Sequence, residues 1–197
     1  MHMEQMKAVE DDRTWEISGN LSVLPNYSEF KRAVHSVHSR FEFMFGKEIM
    51  DKHPLLIDNA TCGSGYTPII TPVLGRYLII KLNIENFSDR ERIIFQVSHE
   101  LCHYVFYSYL GLNRAHADDR EEGICGGMSL CFMKLHSADF DNWCKYIQHH
   151  DNLDDNLAYR SGYDFAKKVE FDLQRFSKEL KNVLQAMSNN EYGEKVS

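Results

Sequence analysis

A chain of 197 residues, 43% of them hydrophobic and 12% aromatic, is long enough to bury a sizeable core and too apolar to be disordered. A formal net charge of -7 argues against a general binder of nucleic acid or of anionic membrane, and no run approaches the roughly 18 apolar residues of a membrane span. Residues 1–13 are polar and acidic, unlike a signal peptide. Cys62, Cys102, Cys125, Cys131 and Cys144 contain no C-x-x-C pair and read as reduced thiols. The expectation is one cytoplasmic domain; a secreted or host-delivered effector without a classical signal has the same composition.

Residues 15–24 read as a first strand or extended arm, broken at Gly19-Asn20 and stopped by Pro25. Ser28 stands where it would cap a helix whose Phe30, Val34, Val37 and Phe41 form one apolar stripe, with Gly46 as its stop. His35 and His38 lack an acidic companion at ligand spacing and read as flanking or solvated. Residues 54–84 read as strands: Leu55-Leu56-Ile57, Ile69-Ile70, and the alternating Leu78, Ile80, Leu82 and Ile84. The glycine-rich Cys62-Gly63-Ser64-Gly65 between them is a flexible loop with no G-K-[ST] to make it a phosphate loop.

Ser88-Asp89-Arg90-Glu91 has the S-x-x-E form of a capping box, and it opens a helix with Ile93, Ile94, Val97, Leu101, Val105 and Tyr109 inward and Gly111 at its end. Inside that helix lies His99-Glu100-Leu101-Cys102-His103, an H-E-x-x-H pattern. Positions four apart share a face, so His99 and His103 are placed to hold one metal ion, for which Zn²⁺ suits an imidazole pair. Glu100 projects about 100° round the helix from His99, where it can take a proton from a metal-activated water.

A polar connection over 113–119 leads to a helix over about 120–136. Gly126 and Gly127 in it suit close approach to the metal-bearing helix. A short helix over 139–150, an acidic link over 151–155, a last helix over 157–187 and a polar tail over 188–197 complete the chain. A catalytic zinc commonly has a third protein ligand. The candidates are His116, Asp118, Asp119, Glu121 and Glu122. Phe106 and Tyr109 replace the glycine and histidine of the extended H-E-x-x-H-x-x-G-x-x-H motif, so a metzincin is disfavoured. Glu121 and Glu122 open a helix and are held more rigidly than loop residues.

With a glutamate on the helix after H-E-x-x-H, the chain resembles the gluzincin metallopeptidases. Over about residues 78–133 it is similar to the ImmA/IrrE-like family. Laying Phe132-Met133-Lys134 on that family's Leu-Met-Pro brings Glu121 onto its ligand glutamate and Cys125 onto its asparagine. The resemblance implies an α+β fold, a small zincin-like domain with a short twisted sheet packed on the H-E-x-x-H helix and a third-ligand helix. The core would cover 14–150, with the C-terminal helix beyond it. It implies Zn²⁺ held by His99, His103 and Glu121, with Glu122 the alternative, and Glu100 as general base. It also implies a protein or peptide substrate in the class of transcriptional regulators, laid along the 78–84 strand as a sheet edge. Candidate oxyanion donors are Tyr159, Tyr163, His149 and His150. The rival reading is a catalytically silent binding or regulatory protein with a structural zinc, closed by a fourth ligand such as Cys125 or His116.

Overall fold

In the computed structural model, which describes residues 14–60, 68–114, 117–149 and 153–194, the protein is α+β. Strands β1 (Trp15–Ile17), β2 (Leu55–Asn59), β3 (Ile69–Val73) and β4 (Tyr77–Leu82) form one sheet in the order β1-β2-β4-β3. β1 and β4 both run parallel to β2, and β3 pairs antiparallel to β4. Leu74 and Gly75 at positive φ make the tight turn between them. The alternation expected for β4 is present, with Leu78, Ile80 and Leu82 buried beside Leu55, Ile57 and Asn59 of β2.

Two expectations for this region are corrected. The strand expected over 78–84 ends at Leu82, because the Asn59 amide takes both backbone groups of Ile84 at 2.9 Å and the Gln96 amide takes both of Asn83 at 2.8 and 3.0 Å. Nor is it an edge: β4 lies between β2 and β3, and the outer strand on that side is β3. Residues 15–24, expected as a first strand or extended arm broken at Gly19-Asn20, are a three-residue strand followed by a 3-10 turn at Gly19–Val23.

Helix α1 (Tyr27–Phe45) carries the expected stripe inward, but its N-cap is Asn26 in the left-handed region, not Ser28. A single turn, α2 (Lys47–Met50), precedes β2. Helix α3 (Arg90–Leu110) runs through the middle of the molecule, packed against α1, the sheet, α4 (Asp119–His136) and α7 (Leu173–Glu194). Its cap lies one residue later than expected: Asp89 Oδ1 accepts from the Arg92 N–H at 3.0 Å. Glu91 does not close a capping box; its Oε2 accepts from Ser137 Oγ at 2.7 Å and Trp143 Nε1 at 2.8 Å, tying the start of α3 to α5 (Phe140–Gln148).

The C-terminal helix is two helices, α6 (Leu153–Lys168) and α7. Glu170 and Phe171 stand at φ 58° and 55°, the Phe171 N–H reaches back to the Ala166 carbonyl at 2.9 Å, and Asp172 caps the restart by accepting from Arg175 N–H. The glycines of α4 meet α6 and not α3, the helix they were expected to approach. A Cβ on Gly123 would stand 2.2 Å from the Ala158 carbonyl oxygen, and one on Gly127 would stand 2.6 Å from that of Gly162. Where α4 meets α3 the contact runs through Ser98 and Ser129, whose hydroxyls lie 3.3 Å apart. His38 is not solvated: it is 2% exposed and stacked on Trp15 at 4.1 Å, while His35 meets the other side of that indole. Among the described residues the cysteines are free, and no helix is long and apolar enough to cross a membrane.

Candidate metal centre

The H-E-x-x-H turn of α3 meets the first turn of α4 on the wall of a cavity of about 1080 Å³. His99 Nε2 and His103 Nε2 point at each other at 3.2 Å. Glu122 completes the triangle, with Oε2 at 3.2 Å from His99 Nε2 and Oε1 at 3.3 Å from His103 Nε2. Three donors bound tetrahedrally to zinc at ~2.0–2.1 Å stand about 3.3 Å from one another. The observed separations are close to that spacing, with each imidazole nitrogen meeting a different oxygen of the one carboxylate, so the donor set fits the ion in number and chemistry. Among the described residues no fourth His, Cys, Asp or Glu joins this group.

Glu121 belongs to a different layer. Its Oε1 lies 2.6 Å from His103 Nδ1, and its carboxylate is held by both terminal nitrogens of Arg114 at 2.5 Å. A carboxylate on Nδ1 places the proton there and leaves Nε2 with its lone pair towards the triangle. Glu121, expected as the third ligand, thus lies on the Nδ1 side of His103, and it is the alternative, Glu122, that meets both Nε2 atoms. Glu121, His103 and Cys125 also form a buried group of potential ligands. The Arg114 cation already satisfies that carboxylate, and the Cys125 thiol, pushed up by burial, resists ionisation. Cys125 does not close the first group.

The electrostatics favour a cation. Burial works to lower the His103 pKa, but hydrogen bonds to Glu121 and Glu122 outweigh it and hold the imidazole up at about 10 in the metal-free chain. Burial works to raise Glu122, yet the two histidines bring it well below the usual carboxylate range. Glu100 is 3% exposed; burial raises its pKa against the opposing pull of His99 and His103. It lines the cavity beside the triangle without being one of its corners.

Of the expected oxyanion donors, Tyr159 lines the cavity. Its ring occupies the space a side chain on Gly126 would need, with Cδ1 at 2.9 Å from that Cβ position. Tyr163 is not brought there: it packs on Phe171 at 5.7 Å and under Lys167. His149 is exposed and away from the cavity lining; His150 and His116 lie outside the described residues. Asp118 is the N-cap of α4, accepting from Glu121 N–H at 2.8 Å, and Asp119 lies on the cavity rim. Sequence reasoning missed Arg114, whose guanidinium also rests 4.1 Å over the Tyr107 ring. The available signal was a lone basic residue, Arg114, in the short connection between the two site helices. No protein-family profile, no curated protein and no solved structure matches the chain.

Proposed function

We propose that the protein is a zinc-dependent peptidase of gluzincin type, with His99, His103 and Glu122 holding the metal. The observation that carries this reading is the cluster of two imidazole nitrogens 3.2 Å apart, each with one oxygen of the Glu122 carboxylate at 3.2 or 3.3 Å, on the wall of a large cavity. Bound zinc supplies Lewis-acid polarisation of a carbonyl and makes water acidic enough to attack near neutral pH. Glu100 takes the proton of the attacking water and delivers it to the departing amine. Its raised pKa suits a group that must both accept and release that proton. The Tyr159 hydroxyl donates to the developing oxyanion.

Edge strand β3 brings Ile69 and Ile70, with the preceding Pro68, to the cavity wall. An extended peptide adding to that edge would pass over the triangle. The substrate is accordingly a protein or peptide in an extended conformation. Similarity to the ImmA/IrrE-like family extends the proposal to a transcriptional regulator as target. The test is zinc stoichiometry together with proteome-wide mapping of new N-termini, comparing wild type with Glu100→Gln. One zinc per chain in both proteins, and cleavages present only with wild type and abolished by chelation, is the expected result. Bound zinc with no cleavage in either would leave the silent binding protein as the better reading.

A further inference from the structure

The cavity-lining face of α3 does not stop at the metal-binding histidines. Arg92, Phe95, Gln96, His99 and His103 succeed one another along it towards the C-terminus. Arg92 is out of place as a structural residue. It sits in the first turn, where the helix dipole disfavours a cation, and among the described residues no carboxylate lies within ion-pairing distance of it. Its neighbour Glu91 is committed elsewhere, to Ser137 and Trp143.

Between Arg92 and His99 stands an aromatic wall. Phe95 stacks on Trp143 at 4.6 Å and meets Tyr146 edge-on at 5.8 Å, and all three line the cavity. Tyr146 is 51% exposed, so the wall is open to a visitor. The hydrogen bond from Trp143 Nε1 to Glu91 fixes the indole at 2.8 Å, which makes this a pre-organised surface rather than a loose patch.

We propose that this wall and Arg92 set the substrate's sequence: an aromatic or large aliphatic side chain on Phe95, Trp143 and Tyr146, and an acidic residue at Arg92. The spacing follows from two repeat lengths. Seven residues of helix separate Arg92 from His99 by about 10 Å, which an extended peptide covers in roughly three residues. The acidic residue therefore lies about three positions from the bond to be cut, on the α5 side, with the apolar residue between them. This inference rests on the peptidase reading and names the substrate class of that same site.

The experiment uses the full-length, zinc-loaded Glu100→Gln chain and blocked hexapeptides, Ac-Ala-Ala-Phe-Ala-Asp-Ala-NH2 and its Asp→Lys and Phe→Ala versions, in both chain directions, with binding followed by calorimetry. The Asp peptide is expected to bind about three- to fivefold more tightly than the Lys peptide, with the gap closing at high salt, as for an exposed charge pair. Arg92→Glu, which suits the helix dipole and should fold normally, reverses the order. The Phe peptide is expected to bind about tenfold more tightly than its Ala version, and Tyr146→Ala or Trp143→Ala erodes that gap while leaving the charge preference. Equal binding of Asp and Lys peptides, an unchanged order in Arg92→Glu, or no binding of any peptide overturns the inference. Wild-type cleavage of peptides regardless of the acidic residue also overturns it but leaves the peptidase reading intact. The expected preferences in a wild-type chain that cuts nothing would uphold the groove and remove the peptidase.

Discussion

His103 Nδ1 and Glu121 Oε1 lie 2.6 Å apart, and the same carboxylate is clasped by Arg114. Under the proposed reading, the pair separates two adjacent glutamates into an orienting residue, Glu121, and a metal ligand, Glu122. Glu122→Ala is therefore expected to leave the chain with substoichiometric zinc. Glu121→Gln keeps the ion with affinity weakened about 10- to 100-fold. It also lowers Tm, because Arg114 loses its buried partner. Zinc competition titrations on the two variants check the assignment, and the opposite ranking would return Glu121 to the ligand set.

Glu100→Gln preserves the size of the side chain and removes its ability to carry a proton. Peptide turnover is expected to fall by about 10² to 10⁴ with zinc content unchanged. Activity measured on metal-quantified protein separates this from loss of the ion.

His38 supplies a pH dependence unconnected with the metal. Burial lowers its pKa from 6.5 to about 4, against a smaller opposing pull from Asp51 and with a further push down from His35; its Nε2 is buried with no hydrogen-bond partner. The folded chain thus binds fewer protons here than the unfolded chain between those two values. The stability is fully present above pH 6.5 and is lost as pH falls towards 4, by an amount of order 3 kcal/mol. Denaturant midpoints across that range should drop in wild type and drop less in His38→Phe, which keeps the stack on Trp15.

Among the described glycines Gly162 leaves the least room: a Cβ there would lie 1.6 Å from the Gly123 carbonyl oxygen. Gly162→Ala is expected to destabilise by about 3 kcal/mol or more, since backbone and not a pliable side chain must give way. Gly19→Ala, whose Cβ meets nothing within 4 Å, is the control for the substitution itself.

The start of α3 offers a sharper comparison. Asp89→Ala is expected to cost about 1 kcal/mol and Ser88→Ala less than about 0.5, because the Asp89 carboxylate is the cap. Thermal unfolding of the two variants decides between caps one residue apart.

What could be read from the residues followed from local periodicity. The stripe of α1, the alternation of β4 and the H-E-x-x-H turn on a buried helix depend on neighbours within one or two turns. Which of Glu121 and Glu122 faces both Nε2 atoms depends on Arg114 in the connecting loop and His103 on another helix, so family spacing, which pointed to Glu121, does not contain it. The break between α6 and α7 escaped notice for a different reason. Ala166, Val169, Leu173 and Phe176 keep helical spacing straight through it, and no glycine or proline marks Glu170 and Phe171, which nonetheless adopt left-handed conformations. That β3 and not β4 forms the edge is a property of pairing partners, which no single strand's pattern contains.

The contact of α4 with α6 at Gly123 and Gly162 has a mechanical consequence for the cavity. Two backbones that already touch have no layer of side chains to compress or slide, so Tyr159 and Glu122 ride on one stiff body. Helix α5 meets its neighbours through side chains, with Trp143 anchored to Glu91 at the start of α3. The separation of Tyr159 from Glu122 is therefore set by backbone contact, and adjustment to a bulky occupant falls to exposed side chains such as Tyr146.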